Sequence, residues 1–191
     1  MPIARFLEML GHLPLDVLVL SNRPGPLGRW TMGGPDGPVP GLRRIKQLLA
    51  QRGIVPRCYL GSSAGGEAAM VAASLDRGSS AITLAGRIYG VGRSIPLRQA
   101  PPAFVPLCEC WPDPAPIHAI FNADEPLDRK CHQALKAMAP HARLYPIPGN
   151  RRHNPMTTLA ARGKLRAVMV QIGLAAMGQA PDFDVVGEPW S

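Results

Sequence analysis

The sequence predicts an α/β protein in which helices cover both faces of a mostly parallel sheet. Three observations carry that prediction. Short apolar runs rich in β-branched residues recur along the chain. Segments with helical spacing of apolar residues, or rich in Ala, alternate with them. Gly or Pro punctuates most junctions. Strand-helix alternation of this kind favours parallel pairing buried on both faces. At 191 residues the chain suffices for one domain with a full core, so residues 1–191 are read as a single unit.

The elements follow in order. Leu15–Leu20 is a buried strand that empties into Ser21-Asn22-Arg23-Pro24-Gly25. Residues 24–40 form a Gly- and Pro-crowded connection, with Arg29–Met32 as a brief strand inside it. Leu42, Ile45, Leu48 and Leu49 mark an amphipathic helix that Gly53 stops. Val55–Leu60 is the next strand, and the turn Gly61-Ser62-Ser63-Ala64-Gly65-Gly66 leads into an Ala-rich helix over Glu67–Leu75. Ser80–Ala85 is a strand. Residues 86–116 carry seven prolines, too many for a long regular element, and a loop of that length reads either as a functional one, such as a lid, or as a poorly ordered one. Ile117–Phe121 is a strand, Leu127–Met138 a helix and Arg143–Ile147 the last strand. A long helix spans Met156–Met177, broken near Gly163 or Gly173, and residues 178–191 read as a surface tail.

Composition narrows the classes of function. Apolar residues make up 46% of the chain, which suits a globular protein. No apolar run approaches the roughly 18 residues of a membrane span. Arg5, Glu8 and His12 interrupt the N-terminal apolar positions, unlike a signal peptide. A cytoplasmic setting is therefore expected, with Cys58, Cys108, Cys110 and Cys131 reduced. The net charge of +8 permits an anionic partner. The basic residues are dispersed and no recognition motif accompanies them, so nucleic-acid binding is not expected. Cys108 and Cys110 with Cys131 and His132 invite a zinc reading, but one residue between the first two is too few for the usual structural site. No metal and no cofactor are expected.

The chemistry concentrates at Gly61-x-Ser63-x-Gly65, lying between a predicted strand and a predicted helix. A direct strand-to-helix turn forces its central residue into a strained conformation and crowds the positions two residues to either side, where Gly fits. Gly66 adds close approach between helix and sheet. The turn raises the Ser63 hydroxyl above the sheet and aims the Ala64 N–H, at a helix N-terminus, toward a developing oxyanion. A phosphate-binding P-loop would need Gly-Lys-Ser/Thr, and a dinucleotide fold would need GxGxxG; neither is present.

A serine nucleophile on such a turn is served by an acid and then a histidine, in that chain order. Past strand Ile117–Phe121, Asp124 stands directly in the turn and is the first candidate acid. Asp128 is the second, although an Asp at a helix start is commonly an N-cap, and Glu125 the third. The loop after the last strand offers His153 as general base. His12, His118 and His141 precede strands and His132 falls on a helix, so these read as surface or capping residues. A second oxyanion donor is expected from the Asn22 or Arg23 backbone after the first strand.

With those residues in place, the chain resembles the α/β-hydrolase superfamily over residues 15–177. Ser21-Asn22-Arg23, Arg29-Trp30, Gly-Ser-Ser-Ala-Gly-Gly, Phe121-Asn122-Ala123-Asp124 with Asp128-Arg129, and His153 followed by Leu159 and Gly163-Lys164-Leu165 carry the likeness. They look like the small hydrolase-like proteins associated with bacterial surface polysaccharide and glycosyltransferase gene products. The resemblance implies a minimal hydrolase fold and a Ser63–Asp124–His153 triad, and it names no substrate. The chain departs from the superfamily in lacking a His-Gly-Gly-Gly oxyanion motif and, unless residues 86–116 form one, a helical cap. Two functions are therefore expected to compete. One is a serine hydrolase or acyltransferase acting on a small or acylated ester or thioester. The other is a non-catalytic hydrolase-fold domain binding a glycan, lipid carrier or protein.

Overall fold

The computed structural model describes residues 8–13, 38–55, 58–76, 78–88 and 115–186. The expected strands at 15–20 and 29–32, the Asn22 and Arg23 donors, Cys108, Cys110 and most of the 86–116 loop lie outside them. The described elements are α1 (Pro38–Ala50), β1 (Cys58–Ser62), α2 (Ala64–Leu75), β2 (Ser80–Leu84), β3 (Ile117–Asn122), α3 (Pro126–Met138), β4 (Arg143–Ile147), α4 (Pro155–Ala161) and α5 (Leu165–Ala176). A 3-10 turn over Asp184–Val186 follows.

The four strands pair in parallel in chain order, β1-β2-β3-β4. Cys58 lies opposite Ser80, Ala81 opposite Ile117, and His118 opposite Arg143. All four carboxyl ends therefore meet at one edge. Period-2 alternation sends side chains to two cores. Ile82, Leu84, Ile120 and Ile147 pack with Leu159 of α4 and Val168 and Ile172 of α5. Ala81, Ile117 and Ala119 pack with Met70 and Val71 of α2 and Cys131 and Leu135 of α3. Because both faces are covered, β3 is buried at every position, as a central parallel strand must be. Asp76, at the end of α2, accepts from Lys46 Nζ at 2.5 Å and from the Tyr59 hydroxyl at 2.8 Å, tying α1 and β1 to it.

Several boundaries differ from the sequence reading. α1 starts at Pro38, inside the stretch read as a connection, and α2 starts at Ala64 rather than Glu67. The C-terminal helix breaks at Gly163, which takes φ +66°, and not at Gly173. Gly173 serves packing instead, since a Cβ there would stand 3.1 Å from Leu13 Cδ1.

The segment over 178–186 is not a surface tail. Phe183 and Val186 are fully buried, and Phe183 meets the rings of His118 and Tyr145 edge-on. An apolar ring with a sheet face to cover outweighs the polar residues around it in sequence. His118 and His132 are likewise interior residues rather than surface or capping ones. His118 stacks on Tyr145 and shares a 3.1 Å hydrogen bond with its hydroxyl. His132 stacks on Phe121 with centroids 3.9 Å apart, and its Nδ1–H donates to the Asp128 carbonyl at 2.6 Å.

Candidate active site

Each strand delivers a polar group to the shared carboxyl edge: Ser63 after β1, Arg87 after β2, Asp124 to Asp128 after β3, and His153 after β4. Open α/β sheets place their binding crevices outside this edge.

Ser63 is the residue between β1 and α2 and takes φ 52°, ψ −122°. That left-handed conformation is costly for a side chain with a Cβ, by about 1–3 kcal/mol, and the surroundings must enforce it. They do so through Ser63 N–H, which donates to Leu84 O at 3.0 Å, and Ser63 O, which accepts from Gly66 and Arg87. The folded-back chain leaves no room at Gly61, where a Cβ would lie 2.5 Å from the Gly65 carbonyl carbon. Gly66 is as confined, since its Cβ would lie 2.5 Å from the Gly86 Cα. Gly65 is different, because its Cβ would meet nothing within 4 Å among the described residues. The expectation that both flanking glycines are sterically required therefore holds for Gly61 and fails for Gly65, where a Cβ would point away from every described neighbour.

A pair of substitutions separates the two. Gly61→Ala lowers stability by about 3 kcal/mol or more, since backbone rather than a yielding side chain must move. Gly65→Ala stays within about 1 kcal/mol of the parent and gains helix propensity. Thermal melts of both variants measure this, and equal destabilisation would refute the steric assignment.

Ser63 and His153, ninety residues apart in sequence, are brought into contact. Ser63 Oγ and His153 Nε2 are 2.8 Å apart, and His153 Nδ1 is 2.5 Å from Asp128 Oδ1. With Nδ1–H donating to the carboxylate, Nε2 keeps its lone pair toward the hydroxyl. Burial grades along the chain of groups: the Asp128 side chain is 1% exposed and that of His153 32%. Burial pushes the Asp128 carboxyl above the ordinary aspartate value, while the His153 hydrogen bond and charge pull it back. Its second oxygen, Oδ2, is buried without a hydrogen-bond partner among the described residues, and the neighbouring Glu125 side chain adds to the upward push.

Asp124, the first-choice acid, does not hold the imidazole. Its exposed carboxylate accepts from Gly149 N–H at 2.5 Å, an anchor for the loop that carries His153. Two geometric facts explain the exchange. Glu125, the third candidate, is the N-cap of α3 and accepts from Asp128 N–H at 2.5 Å, leaving the Asp128 side chain free of capping. One turn into the helix, Asp128 then points inward, beneath His153.

The loop over 148–154 is fastened from several sides. Arg162 donates to Pro148 O, and Asn122 Nδ2 donates to Arg152 O. Asn150 Nδ2 donates to Thr158 Oγ1 at 2.7 Å, and Asn154 caps α4. Asn122 and Arg87 were not anticipated as site residues. Both stand at or just past a strand's carboxyl end, and that position was the available signal.

Glu125, Asp128 and His153 each offer a ligand atom within 4.8 Å of the others, a spacing that suits a cation. In this arrangement Glu125 Oε2 holds Asp128 N–H and His153 Nδ1 faces Asp128 Oδ1, so a cation at those atoms would break both bonds. Among the described residues, a cavity of about 740 Å³ opens at the opposite edge of the sheet, beside Ser80, His118 and Arg143, and does not serve Ser63. No described helix is long and apolar enough to cross a membrane. No protein-family model, curated protein or solved structure matches the chain.

Proposed function

We propose that this chain is a serine hydrolase or acyltransferase of the α/β-hydrolase kind, acting on an ester or thioester through an acyl-enzyme at Ser63. The observation that carries the reading is the continuous chain of contacts from Ser63 Oγ through His153 to Asp128, beneath a nucleophile held at φ 52°. Nucleophile, base and orienting acid at hydrogen-bond spacing form the arrangement that nucleophilic acyl transfer requires.

Ser63 Oγ attacks the carbonyl carbon while its proton passes to His153 Nε2, and the carbonyl π pair moves onto oxygen. Collapse of that intermediate expels the alcohol or thiol, which takes the proton from Nε2. Water or another acceptor then attacks the acyl-enzyme, gives a proton to Nε2, and releases the acyl product as Ser63 recovers its hydrogen. The Ala64 N–H is the first of α2, where helices leave N–H groups without intrahelical acceptors, and it is suited to stabilise the oxyanion.

A fluorophosphonate probe tests this without knowledge of the substrate. The parent protein labels at Ser63, located by peptide mass analysis, and Ser63→Ala and His153→Ala reduce labelling to background. Undiminished labelling of Ser63→Ala would remove that residue from the chemistry, and an inert parent protein would favour the non-catalytic binding domain.

A further inference from the structure

Arg87 is a cation that the fold sets directly against the catalytic imidazole of the proposed mechanism. The chain leaves β2 through Ala85, a non-glycine residue at φ 51°, and then Gly86, packed against Gly66. This sharp exit brings the next residue back to the elbow, where Arg87 N–H donates to Ser63 O at 2.9 Å. Its side chain is half-buried, and Arg87 Nε–H donates to His153 Nε2 at 3.4 Å.

Two donors thus compete for one lone pair, because Ser63 Oγ–H is directed at the same nitrogen from 2.8 Å. The consequence for turnover is chemical. Once Nε2 takes the serine proton it has no lone pair for Arg87, and a guanidinium held there would face an imidazolium. The cation must therefore turn away as the reaction proceeds, and an anion on the substrate gives it a destination. A guanidinium presents a planar fork that matches a carboxylate bidentately. Arg151 and Arg152, exposed on the loop beside His153, add positive charge to the same rim.

We infer that Arg87 is a specificity-determining residue that selects acyl groups bearing a carboxylate a few bonds from the scissile carbonyl, as in a dicarboxylate half-ester, and that such a substrate draws the guanidinium off His153. The inference rests on the acyl-transfer reading of Ser63.

The test compares 4-nitrophenyl hemisuccinate with 4-nitrophenyl butyrate, nearly equal in size and different in charge. In the parent protein kcat/KM favours the hemisuccinate by about 10- to 100-fold, the worth of a charge-assisted hydrogen bond. In Arg87→Gln that ratio falls to near one, whatever happens to the absolute rates, and Arg87→Lys keeps part of it. A ratio near one in the parent, or an unchanged ratio in Arg87→Gln, overturns the inference. A titration with sodium succinate, against sodium chloride at equal ionic strength, follows the His153 ring resonances by NMR. These shift in the parent and in Arg87→Lys, and stay still in Arg87→Gln. If neither ester turns over and the fluorophosphonate leaves Ser63 unlabelled, the acyl-transfer reading fails. The succinate titration then decides Arg87 alone: a shift that depends on Arg87 retains it as a carboxylate anchor, and no such shift overturns it.

Discussion

Asp128→Asn slows phosphonylation of Ser63 by a fluorophosphonate by about 10,000-fold, whereas Asp124→Asn slows it by less than about tenfold. The difference follows from which carboxylate faces Nδ1. As a carboxylate, Asp128 can only accept, which fixes the tautomer with hydrogen on Nδ1 and the lone pair toward Ser63. An asparagine in its place can present its NH₂ to Nδ1, and the ring then carries its hydrogen on Nε2, where Ser63 needs a base. Asp124 lies four residues earlier and touches the site only through Gly149 N–H, a bond that an asparagine carbonyl can still accept. Second-order labelling rates for the two variants measure the contrast. A comparable loss in both, or a larger loss at Asp124, would return the acid role to the residue that the turn after β3 first indicated.

Stability falls as the pH is lowered from about 6.5 to about 4, in proportion to two buried imidazoles. Burial lowers both His118 and His132 to about 4; the Arg143 charge adds to the effect at His118, while at His132 the hydrogen bond to the Asp128 carbonyl opposes it and the His153 charge adds to it. In the unfolded chain both take up a proton near 6.5, so between the two values the unfolded state binds more protons than the folded one. The native state is therefore favoured above pH 6.5 and progressively loses ground until about pH 4, below which the loss is complete. At 1.36 kcal/mol per pH unit, each histidine contributes up to about 3 kcal/mol of acid destabilisation. That is a large share of the 5–15 kcal/mol that holds a typical domain together. Asp128 acts in the opposite direction, since burial raises its pKa and the folded state takes up its proton more readily. Comparing variants isolates the imidazoles. Urea unfolding of His118→Phe and His132→Phe between pH 7 and 4.5 shows a flatter pH dependence than the parent, each variant losing one proton of linkage. A slope unchanged in both would show that these rings are not held neutral.

Much of the fold was readable because it depends on short-range patterns. The strands 58–62, 80–84, 117–122 and 143–147 each lie within a residue or a few of the apolar runs that announced them. Parallel pairing followed from the alternation with helices. The break at Gly163 and the bury of 178–186 were harder to read. Phe183, set between Asp182 and Asp184, carries no period, and its value lies in the His118 and Tyr145 rings that the fold sets beside it. The two histidines were misread for the same reason, since a lone imidazole in sequence does not disclose the aromatic partner that makes it an interior residue.

What the sequence determined by itself was the turn around Ser63 and the loop that carries His153. A nucleophile turn is a local event, written in the residues that its own backbone would otherwise strike, and Gly61 and Gly66 are such residues. Tertiary structure decided which carboxylate meets the imidazole and which cation accompanies it. Asp124, Glu125 and Asp128 are three carboxylates within five residues, and they part company only when α3 is capped by Glu125, the loop after β4 presents Gly149 N–H to Asp124, and the first helical turn carries Asp128 inward. Arg87 belongs to the same class, because its place beside His153 arises from the parallel register that sets the end of β2 against the end of β1. Contacts between distant segments depend on burial and register across the whole sheet, which no short stretch of chain encodes.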